Sequence, residues 1–322
     1  MKAIVHTQYG PPSQLHFAEV EKPTPKDDEV LIKIHAASLN AYDWHLLTAD
    51  IFLVRFATGL FKPKSTQIGA DVSGHIEAVG KNVIQFKPGD EVYGDLASCG
   101  GGGFAEYVTA PESYLSPKPA NLSFEEAAAV PMAAVTALQG LRDEGKIEAG
   151  KKVLINGASG GVGTYAVQIA KHFSAEVTAV CSTRNVDMVR SLGADHIIDY
   201  TKENFTEAGK KYDLIFGVNG YHPLTAYKRC LTTNGIYAMA GGTSKQIFSA
   251  VFFGSLMSTQ GKKMGIVSAK PNQKDLNFLN GLLKTGKVKP VIDKTYPFDE
   301  IAQALDYIGE GHARGKVVVT MK

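Results

Sequence analysis

Cysteine is scarce. The 322 residues include three, Cys99, Cys181 and Cys230, which lie far apart and form no C-x-x-C pair. That spacing argues against a disulfide framework and against a closed cysteine-rich zinc site, leaving three reduced thiols as the expectation. An excess of charge of one sign is also lacking: 34 Lys and Arg against 32 Asp and Glu give a formal net charge of +2. The concentrated basic footprint that phosphate backbones require is therefore missing, and nucleic acid is not an expected partner. No apolar run approaches the roughly 18 residues needed to span a bilayer, so no integral membrane segment is expected. The chain runs directly into a strand-like Ala3-Ile4-Val5 without the apolar stretch of a signal peptide. Together these absences predict a cytoplasmic location. No internal repeat or low-complexity linker interrupts the chain.

What is present is an ordinary globular composition, 44% hydrophobic and 20% charged. At roughly 100–200 residues per domain the length suggests two domains, large enough to build cores without disulfides or metals. Residues 1–115 read as mostly β. Glu29 to His35 alternates as a half-buried strand, and Lys87-Pro88-Gly89-Asp90 is a turn feeding the strand-prone Glu91-Val92-Tyr93. Short apolar runs separated by Gly and Pro suggest a compact β-barrel or sandwich. The texture changes near residue 121. Ser123 and Glu126 form a capping-box pattern ahead of a helical stretch running to about Leu141, interrupted by Pro131. Strands and helices then alternate, with strands at 152–155, 176–181, 196–200, 213–218 and 235–240 and helices at 162–172 and 186–192. This is the rhythm of a doubly wound parallel sheet. The last part carries helices at 274–283 and 299–308 and an exit strand, Lys316-Val317-Val318-Val319.

The most informative segment is Gly157-Ala158-Ser159-Gly160-Gly161-Val162-Gly163, between a strand and a helix. A dinucleotide pyrophosphate needs a tight turn, a backbone without Cβ obstruction and a helix N-terminus offering free N–H groups. This turn supplies all three; a glycine-rich turn without a ligand is the bland alternative. A P-loop would need Lys then Ser or Thr after its last glycine, and Thr164-Tyr165 stand there instead. NAD-binding folds place an Asp or Glu at the end of the second strand to accept from the ribose 2′-hydroxyl. Here that region reads Cys181-Ser182-Thr183-Arg184-Asn185, with no carboxylate before Asp187. Ser182 can hydrogen-bond a 2′-phosphate and Arg184 can neutralise it, which favours NADPH. In isolation Arg184 would equally be a solvated surface charge; its place after the second strand favours the functional reading.

With these residues in view the chain resembles the medium-chain dehydrogenase/reductase superfamily, in its zinc-independent quinone oxidoreductase branch. The resemblance rests on the stretches 38–44, 69–74, 87–92, 100–107, 133–138, 181–185, 191–196 and 315–319 together with the glycine turn. It is similar in particular to chloroplast-envelope quinone oxidoreductase homologues and to alkenal/enone reductases. The resemblance implies a GroES-like β-rich catalytic domain over 1–120, completed by 271–322, and a Rossmann NADPH-binding domain over 121–270, with the cofactor cleft between them. Zinc-dependent relatives have Gly-His-Glu where this chain has Gly69-Ala70-Asp71, and a ligand Cys near Asn40 or Ala41. Losing both, along with the four-cysteine lobe, implies no metal. The resemblance further implies that Asn40 and Asp43 lie near nicotinamide or substrate and that Thr136 approaches the nicotinamide. Ser159, Gly160, Gly161 and Val162 should hold the pyrophosphate, and Tyr200 should contact the adenosine phosphate end. Asn219, Gly241 and Gly242 should border the ribose and nicotinamide, and Lys316 should close the cleft. Each has a plainer alternative: Asn40 and Asp43 as helix caps, Tyr200 as an exposed strand residue, Lys316 as a surface charge. A homodimer is the default that the resemblance implies.

The expected reaction is hydride delivery from NADPH to the β-carbon of an α,β-unsaturated carbonyl compound. Hydrogen-bond donors would stabilise the resulting enolate oxygen, and a proton would reach the α-carbon. Tyr42 is a proton-donor candidate by chemistry and neighbourhood, with a packed tyrosine as the alternative. Quinone reduction is the enzymatic rival. A non-catalytic NADPH-binding structural or RNA-associated protein is the rival of a different class. Two apolar stretches, Ile51-Phe52-Leu53-Val54 with Phe56 and Phe61, and Phe248 with Val251-Phe252-Phe253, could shape a pocket for an apolar substrate. Core packing or a dimer contact is the alternative reading of both.

Overall fold

The computed structural model describes residues 1–219, 221–242, 244–259 and 261–321, with all of their side chains except those of Leu53, Ser244 and Lys245. The chain divides into two compact units. The first comprises Met1–Met132, Lys270–Gly286 and Pro290–Lys322; the second comprises Ala133–Ala269 and Lys287–Lys289.

The first unit is built on a seven-stranded sheet. Its order is Ile292–Pro297, Lys316–Thr320, Glu29–Leu39, Asp71–Val79, Glu91–Asp95 and Leu115–Pro117, with Tyr107–Pro111 also paired to Glu29–Leu39. Glu29–Leu39 differs from the alternating half-buried strand its first seven residues suggest. It is 11 residues long and buried almost throughout, because both faces are covered. Ala36 packs with Ala128 and Ala129 beside the helix Phe124–Ala128. Ile32 and Leu39 belong to a core that includes Ile301 and Ala304 of the helix Ile301–Gly309. Two register shifts against Asp71–Val79 bend the strand so that it can serve both layers. Ser123 caps the helix Phe124–Ala128 as its capping box foretells: Glu126 N donates to Ser123 Oγ at 3.1 Å, and Ser123 N to Glu126 Oε2 at 2.9 Å. Pro131, lacking an N–H, opens a separate helix, Pro131–Gln139. The first unit extends to Met132 because residues 121–132 pack with its sheet. Ser73 Oγ donates to Phe124 O, and Met132 N donates to the Asp71 carboxylate.

The second unit carries a six-stranded parallel sheet in the order His196–Asp199, Glu176–Cys181, Lys152–Asn156, Tyr212–Gly217, Leu231–Met239 and Lys263–Ile266. The chain begins in the middle, winds outward one way and then returns to wind the other way. This creates a topological switch point between Lys152–Asn156 and Tyr212–Gly217. Val153, Leu154 and Ile155 are fully buried, as a strand covered on both faces requires. Helix Gly161–His172 turns Tyr165, Ala166, Val167, Ile169 and Ala170 into the core. The GroES-like and Rossmann-like architectures suggested by the sequence are therefore both present. One element the strand and helix patterning did not bring out is the helix Ser244–Met257. Its apolar residues are too continuous to mark one face.

Candidate functional site

In the second unit one geometric fact gathers most of the candidate residues. The strands are parallel, so all their C-terminal ends lie along one edge of the sheet. Ser159, Gly160, Gly161 and Val162 follow Lys152–Asn156. Ser182 and Arg184 follow Glu176–Cys181, and Tyr200 follows His196–Asp199. Asn219 follows Tyr212–Gly217, and Gly241 and Gly242 follow Leu231–Met239. Thr136 follows none of these strands and is half-buried on the helix Pro131–Gln139.

The glycine turn fits a phosphate. Gly157 has φ +90°, which disfavours any side chain, and a Cβ there would stand 2.9 Å from Asn219 N. Asn219 N in turn donates to Asn156 O at 3.2 Å, so the turn and the strand that follows the switch point touch through backbone. A Cβ on Gly163 would overlap the Gly157 carbonyl oxygen. Gly160 is the N-cap of helix Gly161–His172, and no side chain caps that helix. The N–H groups and positive dipole end of its first turn are therefore offered to an anion. One residue the sequence did not single out ties this region together. Asn185, 4% exposed, donates from Nδ2 to Ser159 Oγ at 3.0 Å and to Ser182 Oγ at 3.1 Å.

A carboxylate does reach this neighbourhood, from the next strand rather than from the end of the second. Asp199 accepts from Thr183 Oγ1 at 2.5 Å and from Thr201 Oγ1 at 2.7 Å, and pairs with Lys202 at 3.2 Å. The Thr183 hydroxyl, followed by the Thr201 contacts, holds its carboxyl well below the usual range. It is an ionised group whose lone pairs are committed to these partners and whose charge Lys202 offsets. Tyr200 is exposed and meets Tyr221 edge to face with ring centroids 6.4 Å apart.

The first unit gathers a second cluster, of Asn40, Tyr42, Asp43 and Lys316. Antiparallel register sets Ser38 opposite Asp71 and Asp71 opposite Asp95, a row of polar groups across three buried strands. Asp71, fully buried, is its hub. Its Oδ2 accepts from Ser38 Oγ at 2.9 Å, Asn40 Nδ2 at 3.0 Å and Lys316 Nζ at 3.3 Å, and its Oδ1 accepts from Met132 N at 2.9 Å. Lys316, 2% exposed, is thus not a surface charge, and its ammonium also donates to Asn40 Oδ1. Asn40 spends both ends of its amide inside this network. Asp43 accepts from Asn40 N at 2.8 Å and so caps the helix Ala41–Thr48, on which Tyr42 stands. Tyr42 OH donates to Ala97 O at 3.4 Å, and Ala97 N is held by Asp95 Oδ1 at 2.8 Å.

Three buried carboxylates share one ammonium here, and burial dominates the titration of two of them, Asp43 and Asp95. It pushes Asp43 and Asp95 up to about 7, with the Asp71 charge adding to the effect. In an unfolded chain a carboxyl ionises at about 3.9. Between pH about 4 and about 7 the folded state therefore keeps protons that the unfolded state releases, and stability from these groups falls as pH rises through that window. Asp95→Asn cannot ionise. Its stability relative to the wild type is expected to improve with pH from 4 to 7, by on the order of 1 kcal/mol per pH unit at most. Urea denaturation at several pH values checks this; a difference independent of pH would show that Asp95 is ionised throughout.

Tyr42 lines a cavity of about 220 Å³ with Leu46, Pro63, Lys64 and Gln67. Burial, then the charges of Asp43 and Asp95, raise its phenol to about 12. His6 also lines this cavity; its Nδ1 has no hydrogen-bond partner, and burial lowers its pKa against the pull of the Gln8 and Ser65 carbonyls. Nothing in the local sequence marked His6. Of the two apolar stretches, Phe52, Phe56 and Phe61 are exposed and do not line this cavity, whose wall takes Ala57 and Thr58 from that segment. The Leu53 side chain lies outside the described residues. Phe248, Val251 and Phe252 are exposed, and Phe253 borders a separate cavity of about 370 Å³ with Tyr221 and His222.

Among the described residues no group of three or more His, Cys, Asp and Glu side chains is placed to hold a metal ion. Cys99, the cysteine beside this second cluster, is raised to about 11 by burial and by Asp95. It is a neutral thiol where a metal would need a thiolate. No helix among the described residues is long and apolar enough to cross a membrane.

Comparison with known proteins agrees with this architecture. Residues 26–120 match the alcohol dehydrogenase GroES-like domain, and residues 192–319 match the family described as zinc-binding dehydrogenase. The chloroplast envelope quinone oxidoreductase homolog of Arabidopsis thaliana is 37% identical over 99% of this chain and 98% of its own. The chloroplastic NADPH-dependent alkenal/one oxidoreductase of the same plant is 36% identical over 99% of this chain and 79% of its own. The quinone oxidoreductase structure from Coxiella burnetii superposes with a TM-score of 0.89 at 29% identity, covering 100% of this chain and 99% of that one. A GroES-like unit joined to a dinucleotide-binding parallel sheet defines the class as a nicotinamide-dependent oxidoreductase. Within that class the chain belongs to the quinone oxidoreductase branch of the medium-chain dehydrogenase/reductase superfamily.

Proposed function

We propose that this protein is an NADPH-dependent, zinc-independent reductase of the activated C=C bond of α,β-unsaturated carbonyl compounds. The observation that carries the reading is the segment after the second strand. It offers the Ser182 hydroxyl and the Arg184 guanidinium where an NAD-selective site has a carboxylate. The uncapped helix start beside Ser159 to Val162 suits the pyrophosphate. A bound nicotinamide supplies the hydride; the remaining work falls to the chain. The family resemblance sets Ala70, and Asn40 or Ala41, near the ligand positions of zinc-dependent relatives, so the donor set suits a substrate whose charge is taken up by hydrogen bonds rather than by a metal. Tyr42 stays protonated through neutral pH and borders the cavity. It is our candidate to donate to the developing enolate oxygen or to protonate the α-carbon. Asp43 caps the helix under Tyr42, and Lys316 and Asp71 hold Asn40 beside it. Leu46, Pro63 and Ile68 in the cavity wall suit a small apolar enone. The alkenal/one oxidoreductase relative supports the same substrate class. Likeness to quinone oxidoreductases favours quinone reduction as the second reading. Cysteine usage supports a cytoplasmic location, although the two plant relatives carry chloroplast names, and the family resemblance supports a homodimer.

The test is NADPH oxidation against a panel of enones and quinones, with products identified and EDTA present or absent. Saturated ketones formed at rates that EDTA does not change are expected; hydroquinones with no saturated ketone would favour the second reading. In the same assay Arg184→Ala is expected to raise the KM for NADPH by about 10-fold or more, the loss of one charge-assisted hydrogen bond, and to leave the KM for NADH nearly unchanged. Equal effects on both would count against the NADPH assignment.

A further inference from the structure

We infer that Asn185 is a positioning residue that fixes the polarity of Ser159 and Ser182 and so selects a dinucleotide with an extra phosphate. The inference rests on the NADPH reading above. An amide nitrogen carries two protons and no lone pair, so it can only donate. Asn185 Nδ2 uses these protons on two different hydroxyl oxygens, Ser159 Oγ and Ser182 Oγ, 26 and 3 residues away in the chain. A serine hydroxyl has one proton of its own, and once its oxygen accepts from Asn185 that proton is directed elsewhere. Both hydroxyls are therefore set as outward donors by the same buried group.

The two serines belong to different parts of the edge. Ser159 lies in the glycine turn at the start of helix Gly161–His172; Ser182 opens the segment after strand Glu176–Cys181. Asn185 itself is held by its own N–H, which donates to Ser182 O at 2.9 Å. It also stands at the junction of the short turn Thr183–Asn185 and the helix Val186–Ser191, so its side chain starts from a fixed backbone. Phosphate oxygens only accept hydrogen bonds, and those to charged acceptors are the stronger kind. A ligand with phosphate oxygens at both serines matches the imposed polarity twice. A dinucleotide without the 2′-phosphate matches it at the pyrophosphate and presents at Ser182 a neutral hydroxyl, which gains less.

The test compares NADPH and NADH binding by calorimetric titration of the purified full chain, with melting temperature followed alongside. Asn185→Asp keeps the shape but turns the donor into an acceptor, so both serine hydroxyls rotate to donate inward. NADPH affinity is expected to fall by at least about 100-fold and NADH affinity by about tenfold, counting two lost charge-assisted bonds against one. Asn185→Ala removes the donor without adding charge, and is expected to weaken NADPH more than NADH by a smaller margin. In a Ser159→Ala/Ser182→Ala background, the effect of Asn185→Ala on the NADPH-to-NADH preference should vanish, because neither serine hydroxyl is left to be oriented. Equal loss for the two dinucleotides in both Asn185 variants, or an undiminished Asn185→Ala effect on that preference in the double-alanine background, would overturn the positioning role. Failure of the wild type to bind NADPH would overturn the cofactor reading itself, and this inference with it.

Discussion

Lys316→Met is expected to cost the first unit about 3–5 kcal/mol, the usual price of leaving one partner of a buried ion pair behind. The ammonium is 2% exposed and the Asp71 carboxylate fully buried, so water cannot take over the lost contact. Met matches the length of the lysine stem and keeps its packing, which isolates the charge as the cause. Asn40 loses the donor on its Oδ1 in the same stroke, and an unpaired buried acceptor adds to the cost. The damage should be local to the row formed by Ser38, Asp71 and Asp95. Trp44, the single tryptophan, belongs to the first unit, so its fluorescence during urea denaturation reports the relevant transition. Adding Asp71→Asn to Lys316→Met removes the stranded charge and should recover a large part of the loss. A loss below about 1 kcal/mol, the scale of an exposed pair, would mean that hydrogen bonds alone satisfy the carboxylate.

The second large effect is expected at Gly163. Its φ is not in the left-handed region, so the constraint is contact rather than backbone conformation. A Cβ there would overlap the Gly157 carbonyl oxygen and stand 2.8 Å from Ala158 Cα, both of them backbone atoms that cannot swing aside. Gly163→Ala must push the helix away from the strand, with a stability cost of about 1–3 kcal/mol, the range for an overpacked core. The N–H groups at the helix start move with it. NADPH affinity should fall by about 100-fold, equivalent to one or two charge-assisted hydrogen bonds. Gly160→Ala is the control: its Cβ would meet only Gly157 O, at 3.7 Å, an ordinary contact. It should leave the melting temperature unchanged while its methyl group still crowds the ligand side. If Gly163→Ala bound NADPH as the wild type does, the turn would not be where the phosphates rest.

Much of the second unit was legible beforehand because its signals are local. A parallel strand covered on both faces must be apolar along its whole length, and Val153-Leu154-Ile155 is. A turn that brings a helix against its own strand requires glycine, and Gly163 meets that demand through backbone contacts with Gly157 and Ala158, only a few residues away. The capping box of Ser123 and Glu126 spans three residues and formed as written. Glu29–Leu39 was underestimated because its second half, Ala-Ala-Ser-Leu, shows no alternation. Its burial comes from helices that arrive some 90 and 270 residues later in the chain. The apolar Phe52, Phe56 and Phe61 suit a pocket, core packing or a dimer contact equally in the sequence; they are exposed, and the smaller Ala57 and Thr58 between them line the cavity.

The amino-acid sequence by itself determined the class of fold, the glycine turn and the hydroxyl-and-guanidinium segment after the second strand, because each is specified by residues next to one another. Tertiary structure alone decided how the polar groups are paired. It set Asp71 between Ser38 and Asp95, turned Lys316 inward to Asn40, brought Asp199 to Thr183 and placed Asn185 between two serines. Those pairings join residues up to 276 positions apart. They are set by strand register and by the rule that a buried charge or donor must find a partner; neither leaves a trace in local spacing.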